Sequence, residues 1–169
     1  IHHNQTSRNM GFLEISWWDD LEKMASTNVS VHHNLSRDFQ SFVLWWAPTM
    51  GSAIENNTII RTDNEYTGPF DGVFFMDAPP GDVRMTKNII VTDKDLTEAI
   101  FVESFDGGVD DVDHFDNLYW DVVDGNVDLG LPIGPGEVFA DPLFVDWAGS
   151  DHRLQPGSPA AGWGALPGE

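Results

Sequence analysis

The chain has 169 residues and a formal net charge of −20 at pH 7, because 28 acidic residues stand against 8 basic ones. Such a charge repels nucleic acid and anionic membranes, so neither is an expected partner. There is no cysteine, which excludes disulfides and thiolate metal sites. No apolar run approaches the ~18 residues of a membrane-spanning helix. Seven Trp and eleven Phe predict a well-packed core, and we expect a single domain over residues 1–169.

A short motif ending in asparagine recurs along the chain. It reads Ile-His-His-Asn at residues 1–4 and Val-His-His-Asn at residues 31–34. The recurring asparagines are Asn4, Asn34, Asn57, Asn88 and Asn117. The steps between them are therefore 30, 23, 31 and 29 residues. A period in this range is typical of a solenoid, in which each repeat buries its apolar face only by stacking on its neighbours.

A second apolar segment follows each of the first four asparagines, at residues 12–16, 42–46, 73–77 and 100–104. These segments are β-rich, and no helical periodicity competes with them. The predicted fold is all-β: a right-handed parallel β-helix of about five coils over residues 1–140. We expect the asparagines to form a structural column of side-chain hydrogen bonds, each taking the left-handed backbone conformation that a tight bend needs.

Alternation within the strand before each asparagine predicts an outward column on adjacent coils. Its members are His2, His32, Glu55, Thr86 and Phe115. Strands stacked about 4.8 Å apart would bring two imidazoles and a carboxylate together, where they could bind a divalent metal or share a proton. We therefore take His32 and Glu55 as catalytic candidates. The alternative is that tandem histidines fill the bend through hydrogen bonds, with His3 and His33 at the bend itself.

The segment Gly11-Phe12-Leu13-Glu14-Ile15-Ser16 carries another candidate. If its two aliphatic side chains point inward, Glu14 points outward between apolar neighbours and suits a general acid. The segment also resembles a motif of β-helical glycoside hydrolases of the β-xylosidase type, which implies that Glu14 is the acid/base residue. Hydrolysis needs a second carboxylate at about 5–5.5 Å for retention or about 6.5–9.5 Å for inversion, for which Glu55 and Glu103 are candidates. The alternative is a solvated strand glutamate.

Two tryptophan pairs indicate a sugar-binding surface. They are Trp17-Trp18 and Trp45-Trp46, and strand alternation should leave one ring of each pair outside the core. The charged residues Glu103 and Arg84 are further substrate-binding candidates. The alternative is that the loop at 19–28 covers the rings as a satellite cluster.

An acidic stretch offers a candidate for Ca²⁺, the one cofactor that we consider. Asp110, Asp111 and Asp113 lie close together beside two glycines, and clustered carboxylates on such loops are plausible calcium ligands. The spacing does not match an EF-hand, and the alternative is a solvated acidic loop.

The C-terminal residues 141–169 depart from the repeat and predict an irregular closing cap. The segments Asp141-Pro142-Leu143-Phe144-Val145-Asp146 and Arg153-Leu154-Gln155-Pro156-Gly157-Ser158-Pro159-Ala160 resemble the terminal signature of secreted bacterial parallel β-helix proteins of the pectate-lyase-like superfamily. That superfamily contains polysaccharide lyases and glycoside hydrolases. The resemblance implies the fold and a secreted, extracellular location, and the acidic surface would suit a marine or salt-adapted source. We also expect an upstream β-helix portion, or another copy, to cover the N-terminal coil.

The sequence therefore leaves several functions open, all with a polysaccharide or oligosaccharide as partner. The first is a glycoside hydrolase that uses paired carboxylates, and the second is a non-catalytic glycan-binding or adhesive solenoid. A Ca²⁺-dependent polysaccharide lyase is a further alternative, although the negative charge disfavours its acidic substrates. A purely structural fragment is the last.

Overall fold

The computed structural model describes residues 1–16, 26–39, 41–62, 72–76, 81–93, 99–103 and 108–166. The strands are β1 (Gln5–Ser7), β2 (Leu13–Ile15), β3 (Ser26–Thr27), β4 (Ser30–His32), β5 (Leu35–Arg37), β6 (Val43–Trp45), β7 (Thr49–Met50), β8 (Ser52–Glu55), β9 (Thr58–Arg61), β10 (Gly72–Met76), β11 (Val83–Thr86), β12 (Ile89–Thr92), β13 (Ala99–Glu103), β14 (Val112–Phe115), β15 (Leu118–Asp121), β16 (Val138–Phe139), β17 (Phe144–Asp146) and β18 (Asp151–Leu154). One 3-10 turn spans Val109–Asp111. None of the described segments is a helix long and apolar enough to cross a membrane.

Most of the strands belong to three parallel sheets that the chain visits in rotation. Sheet I has the order β4-β8-β11-β14, sheet II the order β1-β5-β9-β12-β15-β16, and sheet III the order β2-β6-β10-β13. A bridge between His2 and His32 extends sheet I by one position. Two small sheets pair β3 with β7 in parallel and β17 with β18 antiparallel. The described part of the chain is therefore all-β, with parallel sheets as the sequence predicted.

Strand register brings equivalent positions of successive repeats into line. Leu13 pairs with Val43, Val43 with Phe74, and Phe74 with Phe101, which confirms the predicted alignment of the second apolar segments. The aligned side chains form the core between the sheets, where Phe74 stacks on Phe101 with ring centroids 5.2 Å apart. Stacked apolar columns of this kind stabilise parallel strands, because each repeat buries the apolar face of its neighbour.

The predicted asparagine column runs along the corner between sheets I and II. The backbone N–H and side-chain Nδ2 of Asn34 both donate to Oδ1 of Asn57, at 3.0 and 2.9 Å. Asn57 donates in the same way to Asn88, and Asn88 to Asn117, all at 2.9–3.0 Å. Each buried amide also donates to a backbone carbonyl, as Asn57 does to Val31 at 2.9 Å. The column therefore satisfies polar groups that the fold has removed from water.

The bend geometry differs from the prediction in one respect. The left-handed conformation belongs to the residue before each asparagine, with φ between 53° and 57°. These residues are His3, His33, Asn56, Lys87 and Asp116. The asparagine itself begins the turn into sheet II, so its side chain can point inward along the column. Histidine and lysine pay a steric cost in this region of φ that glycine would avoid.

The C-terminal end of the stack is closed by residues 128–140, not by the cap predicted at 141–169. The N–H of Phe101 donates to the carbonyl of Leu129 at 2.9 Å, and the N–H of Val138 donates to the carbonyl of Asn117 at 2.9 Å. The segment after residue 140 runs instead along the outer face of sheet II. There the N–H of Ala165 donates to Oγ1 of Thr58 at 3.0 Å. The segment lies there because this face would otherwise expose large aliphatic side chains to water, and the segment buries them.

The covered face forms a second hydrophobic cluster. Strands β5 to β15 of sheet II contribute Leu35, Ile60, Ile89, Val91 and Leu118. The C-terminal segment contributes Phe144, Leu154, Ala160 and Ala165. The central strands β9 and β12 of sheet II are therefore buried on both faces, as parallel sheets usually are, whereas its edge strand β1 is largely exposed.

We predict that Asn57→Ala lowers the free energy of unfolding by on the order of 2–4 kcal/mol, because it leaves two buried donors of Asn34 without an acceptor. Urea denaturation measures the change. The matched control is Asn56→Gly, at the neighbouring position with φ of 53°, where glycine fits and the loss should stay below about 1 kcal/mol. Equal losses in the two variants would show that the column does not stabilise the fold.

Candidate functional site

The predicted outward column on sheet I forms as the register requires. His32 pairs with Glu55, Glu55 with Thr86, and Thr86 with Phe115, while His2 bridges to His32. The structure therefore brings His2, His32 and Glu55 together on adjacent strands. Thr86 differs from its neighbours, because it is buried although its register position is outward.

The histidines of the first two repeats form two pairs of rings. Nδ1 of His2 lies 2.7 Å from Nδ1 of His3, and Nδ1 of His32 lies 2.9 Å from Nδ1 of His33. His2 stacks on His32 with centroids 4.9 Å apart, and His3 on His33 at 5.3 Å. Burial, and then the neighbouring histidines, lower the pKa of His32 and of His33. The rings of His32 and His33 are therefore biased toward the neutral form.

Glu55 has a cation beside it. Arg84, a predicted substrate-binding residue, follows on the next strand, and its Nε donates to Oε1 of Glu55 at 2.9 Å. Both side chains are partly accessible, with 52% and 28% of their surfaces exposed. The carboxylate predicted to act in catalysis and the arginine predicted to bind substrate are thus engaged with each other.

Glu14 lies on a different sheet from His32 and Glu55, so the predicted catalytic trio is not one site. It belongs to β2 in sheet III, whereas the other two belong to sheet I. Glu14 is exposed and pairs in register with Leu44. It lines a cavity of about 340 Å³. The lining residues are Met10, Gly11, Phe12, Leu13, Glu14, Ser41 and Leu44. Among them Glu14 is the sole carboxylate.

Glu103 cannot act as the second carboxylate for Glu14. It ends β13, at the edge of sheet III opposite to β2, and it pairs with Met76 in β10. Three strand spacings separate the two edge strands, which is about 14 Å. This distance exceeds the separation that either hydrolytic mechanism uses. The distance follows from the order of the repeats, because β2 belongs to the first repeat and β13 to the fourth.

The Trp45–Trp46 pair has one ring in the core and one partly outside it, as alternation predicted, but the inner ring is Trp45, so its predicted role in substrate binding is wrong. Its side chain is 1% exposed within the core, and its Nε1 donates to Oγ1 of Thr49 at 3.0 Å. Strand alternation turns Trp45 inward beside Val43, so its ring has almost no exposed surface on which a sugar could pack. Trp46 is half-buried, with its ring 5.9 Å from that of Phe75. Trp17 and Trp18 lie outside the described residues.

The predicted calcium ligands do not gather. Asp110 and Asp111 lie exposed in the 3-10 turn, and Asp113 lies on β14 beside Arg84 in register. Over the described ranges, no three His, Cys, Asp or Glu side chains are arranged to hold a metal ion. The turn directs consecutive carboxylates away from one another, into solvent.

A buried carboxylate that the sequence analysis did not identify ends the asparagine column. Oε1 of Glu137 accepts from Nδ2 of Asn117 at 2.8 Å and from the hydroxyl of Tyr119 at 2.7 Å. Its Oε2 accepts from the N–H of Gly134 at 2.8 Å and lies 3.0 Å from Nδ1 of His114. Burial acts to raise the pKa of Glu137, but these hydrogen bonds outweigh it and lower the pKa. The same carboxylate and its own burial raise the pKa of Tyr119.

Comparison of the chain with protein-family models, with curated proteins and with solved structures found no match.

We predict that Glu137→Gln lowers stability by about 1–3 kcal/mol at neutral pH, because an amide group replaces one of the two acceptor oxygens. The folded pKa of Glu137 lies below its ordinary 4.5. Its ionisation therefore stabilises the fold above pH 4.5, and this contribution disappears as the pH falls through the folded value.

Denaturation curves between pH 3 and 7 test this prediction. The difference in stability between the wild type and Glu137→Gln should shrink in acid, while Glu55→Gln, a partly exposed control, should shift the curve by less than about 1 kcal/mol. A Glu137→Gln curve that runs parallel to that of the wild type would contradict the role of the carboxylate.

Proposed function

We propose that the chain is a right-handed parallel β-helix that binds a glycan in the cavity beside Glu14. Three observations support the helix: three parallel sheets visited in rotation, strands that keep register from repeat to repeat, and asparagines stacked along the corner between sheets I and II. The C-terminal segment adds its resemblance to secreted bacterial proteins of the pectate-lyase-like superfamily. Secretion and an extracellular location belong to this proposal.

The composition of the cavity carries the proposal for glycan binding. Its volume of about 340 Å³ lies within the range of small-molecule sites. Met10, Phe12 and Leu44 give it an apolar wall, while Glu14 and Ser41 add polar groups. A sugar ring needs this combination, since its C–H face packs on apolar surface while its hydroxyls seek hydrogen-bond partners.

The apolar wall continues along sheet III. Leu44 pairs in register with Phe75, and Phe75 with Val102, so that an apolar column extends from Glu14 across the sheet. The ring of Trp46 lies beside Phe75. Phe75 itself is buried, so a glycan longer than one sugar would meet the half-buried side chains of Trp46 and Val102 in the direction of stacking.

Binding without catalysis suits this geometry better than hydrolysis. Glycosidic hydrolysis needs two carboxylates, and among the described residues that line the cavity Glu14 is the sole one. Hydrolysis remains the second proposal because the Gly11–Ser16 segment resembles the acid/base motif of β-xylosidase-type enzymes. A Ca²⁺-dependent lyase has less support, since Arg84 is paired with Glu55 and the acidic turn gathers no ligand set.

We predict that Glu14→Ala weakens oligosaccharide binding at least tenfold, whereas Glu14→Gln, which keeps hydrogen-bonding atoms, changes affinity less than threefold. A glycan array with and without Ca²⁺ identifies the ligand, and calorimetry measures both variants. Glu103→Gln, on the opposite edge of sheet III, is the charge-matched control and should bind as the wild type does.

A reducing-end assay on the same proteins separates binding from hydrolysis. Turnover by the wild type that Glu14→Gln abolishes would favour the hydrolase. If no glycan is bound, or if Glu14→Ala binds as tightly as the wild type, the cavity is not the site.

A further inference from the structure

We propose that the His2–His3 pair and the His32–His33 pair each chelate one divalent transition-metal ion of the Cu²⁺ or Ni²⁺ type. The proposal does not depend on the glycan site, which lies on another sheet. It rests on the arrangement of four imidazole rings at the bends of the first two repeats.

The separation of the nitrogens fits two neighbouring ligands of one ion. A metal–nitrogen bond to imidazole is about 2.0–2.1 Å long, so two nitrogens at 90° around a metal lie about 2.8–3.0 Å apart. The Nδ1 atoms lie 2.7 Å apart in the His2–His3 pair and 2.9 Å apart in the His32–His33 pair. A tetrahedral ion would need about 3.3–3.4 Å, so the spacing favours the square-planar or tetragonal geometry of Cu²⁺ and Ni²⁺.

The rings of each pair are nearly perpendicular, at 89° in both. The backbone fixes this perpendicular arrangement. The second histidine of each pair, His3 or His33, has a left-handed φ of 55° or 53°, while the first histidine continues the strand. The left-handed bend therefore turns two adjacent side chains toward one another instead of to opposite faces. Without a metal, the same spacing allows a single hydrogen bond between the two Nδ1 atoms.

The four rings do not form one four-histidine centre. Equivalent rings stack nearly parallel, with interplanar angles of 12°, so the in-plane lone pairs of their nitrogens lie in parallel planes and do not converge on one ion. This agrees with the finding that no group of three or more such ligands occurs among the described residues. Each pair would therefore hold its own ion, with water in the other positions, and the two ions would lie about 5 Å apart.

The site is accessible and has a counter-charge nearby. His2 and His3 are exposed, and His32 and His33 are half-buried. Glu55 lies beside His32 on the next strand, where its carboxylate is the nearby negative charge, although Arg84 already neutralises part of it. The next repeat carries Glu55 and Asn56 in place of the two histidines, so the chelating pairs stop after the second repeat.

This last fact supplies a conservative variant. His33→Asn and His3→Asn each copy the residue that the third repeat uses at the same bend, and asparagine tolerates the left-handed conformation. Each variant should fold and should remove one nitrogen from one pair only. His152→Asn is the control, because that ring is buried within the C-terminal segment, where it packs against Phe144 and Trp147, and it belongs to neither pair.

The experiment is a titration of the chain with Cu²⁺ alone, followed by calorimetry and by electron paramagnetic resonance. The amino group of Ile1 is acetylated so that it cannot act as a ligand, and its remaining N–H can still donate to the carbonyl of Ser30. We expect two bound ions per chain, each with two equatorial nitrogens, and a spin–spin interaction between them.

His33→Asn and His3→Asn should each weaken one of the two binding events at least tenfold and abolish the spin–spin interaction, while His152→Asn changes neither. Absence of Cu²⁺ binding at micromolar concentrations, or a spectrum without imidazole nitrogens, would overturn the proposal. So would a stoichiometry of two that persists, with both affinities unchanged, in either asparagine variant.

Discussion

The column of asparagine side chains is the interaction on which the rest of the structure depends. Each Oδ1 accepts two hydrogen bonds from the asparagine of the preceding repeat. Each asparagine in turn donates its backbone N–H and its Nδ2 to the Oδ1 of the next asparagine. All donations from one asparagine to another run toward the next repeat, so the column has a direction and ends in a buried donor at Asn117. A buried donor without a partner is costly, and Glu137 supplies the acceptor. The closing layer at 128–140 therefore supplies the acceptor that the last asparagine of the column requires.

The column also fixes which side chains share a face. Because every repeat turns at the same place, sheet I presents a polar surface that contains His32 and Glu55, and sheet III presents an apolar one beside Glu14. The C-terminal segment covers the outer face of sheet II over its central strands. This division separates the candidate residues that the sequence had placed in one site. It leaves a glycan-sized cavity on sheet III and paired imidazoles at the bends before sheet II.

Features that recur in every repeat could be predicted from the sequence, whereas residues and segments that occur once and do not follow the repeat could not. The spacing of the asparagines and the order of His32 and Glu55 in their column follow from a repeat that is visible in the chain. Trp45 and Trp46 are adjacent and chemically alike, so only the strand register decides that Trp45 is in the core. Glu137 comes only 20 residues after Asn117 and is one of 28 acidic residues, so neither spacing nor residue type distinguishes it. The path of the C-terminal segment depends on exposed aliphatic side chains of sheet II, which exist only once the repeats have stacked.

Hydrogen exchange of side-chain amides, followed by NMR, tests the column most directly. If the Nδ2 protons of Asn57 lie in a buried ladder, they exchange only when the structure opens, and they should be protected roughly a thousandfold. The exposed amide of Asn126 provides the unprotected reference in the same spectrum. Slow exchange at Asn34, Asn57 and Asn88 together is the result that we expect. Exchange at Asn57 as fast as at Asn126 would contradict the column as the interaction that holds the repeats in register.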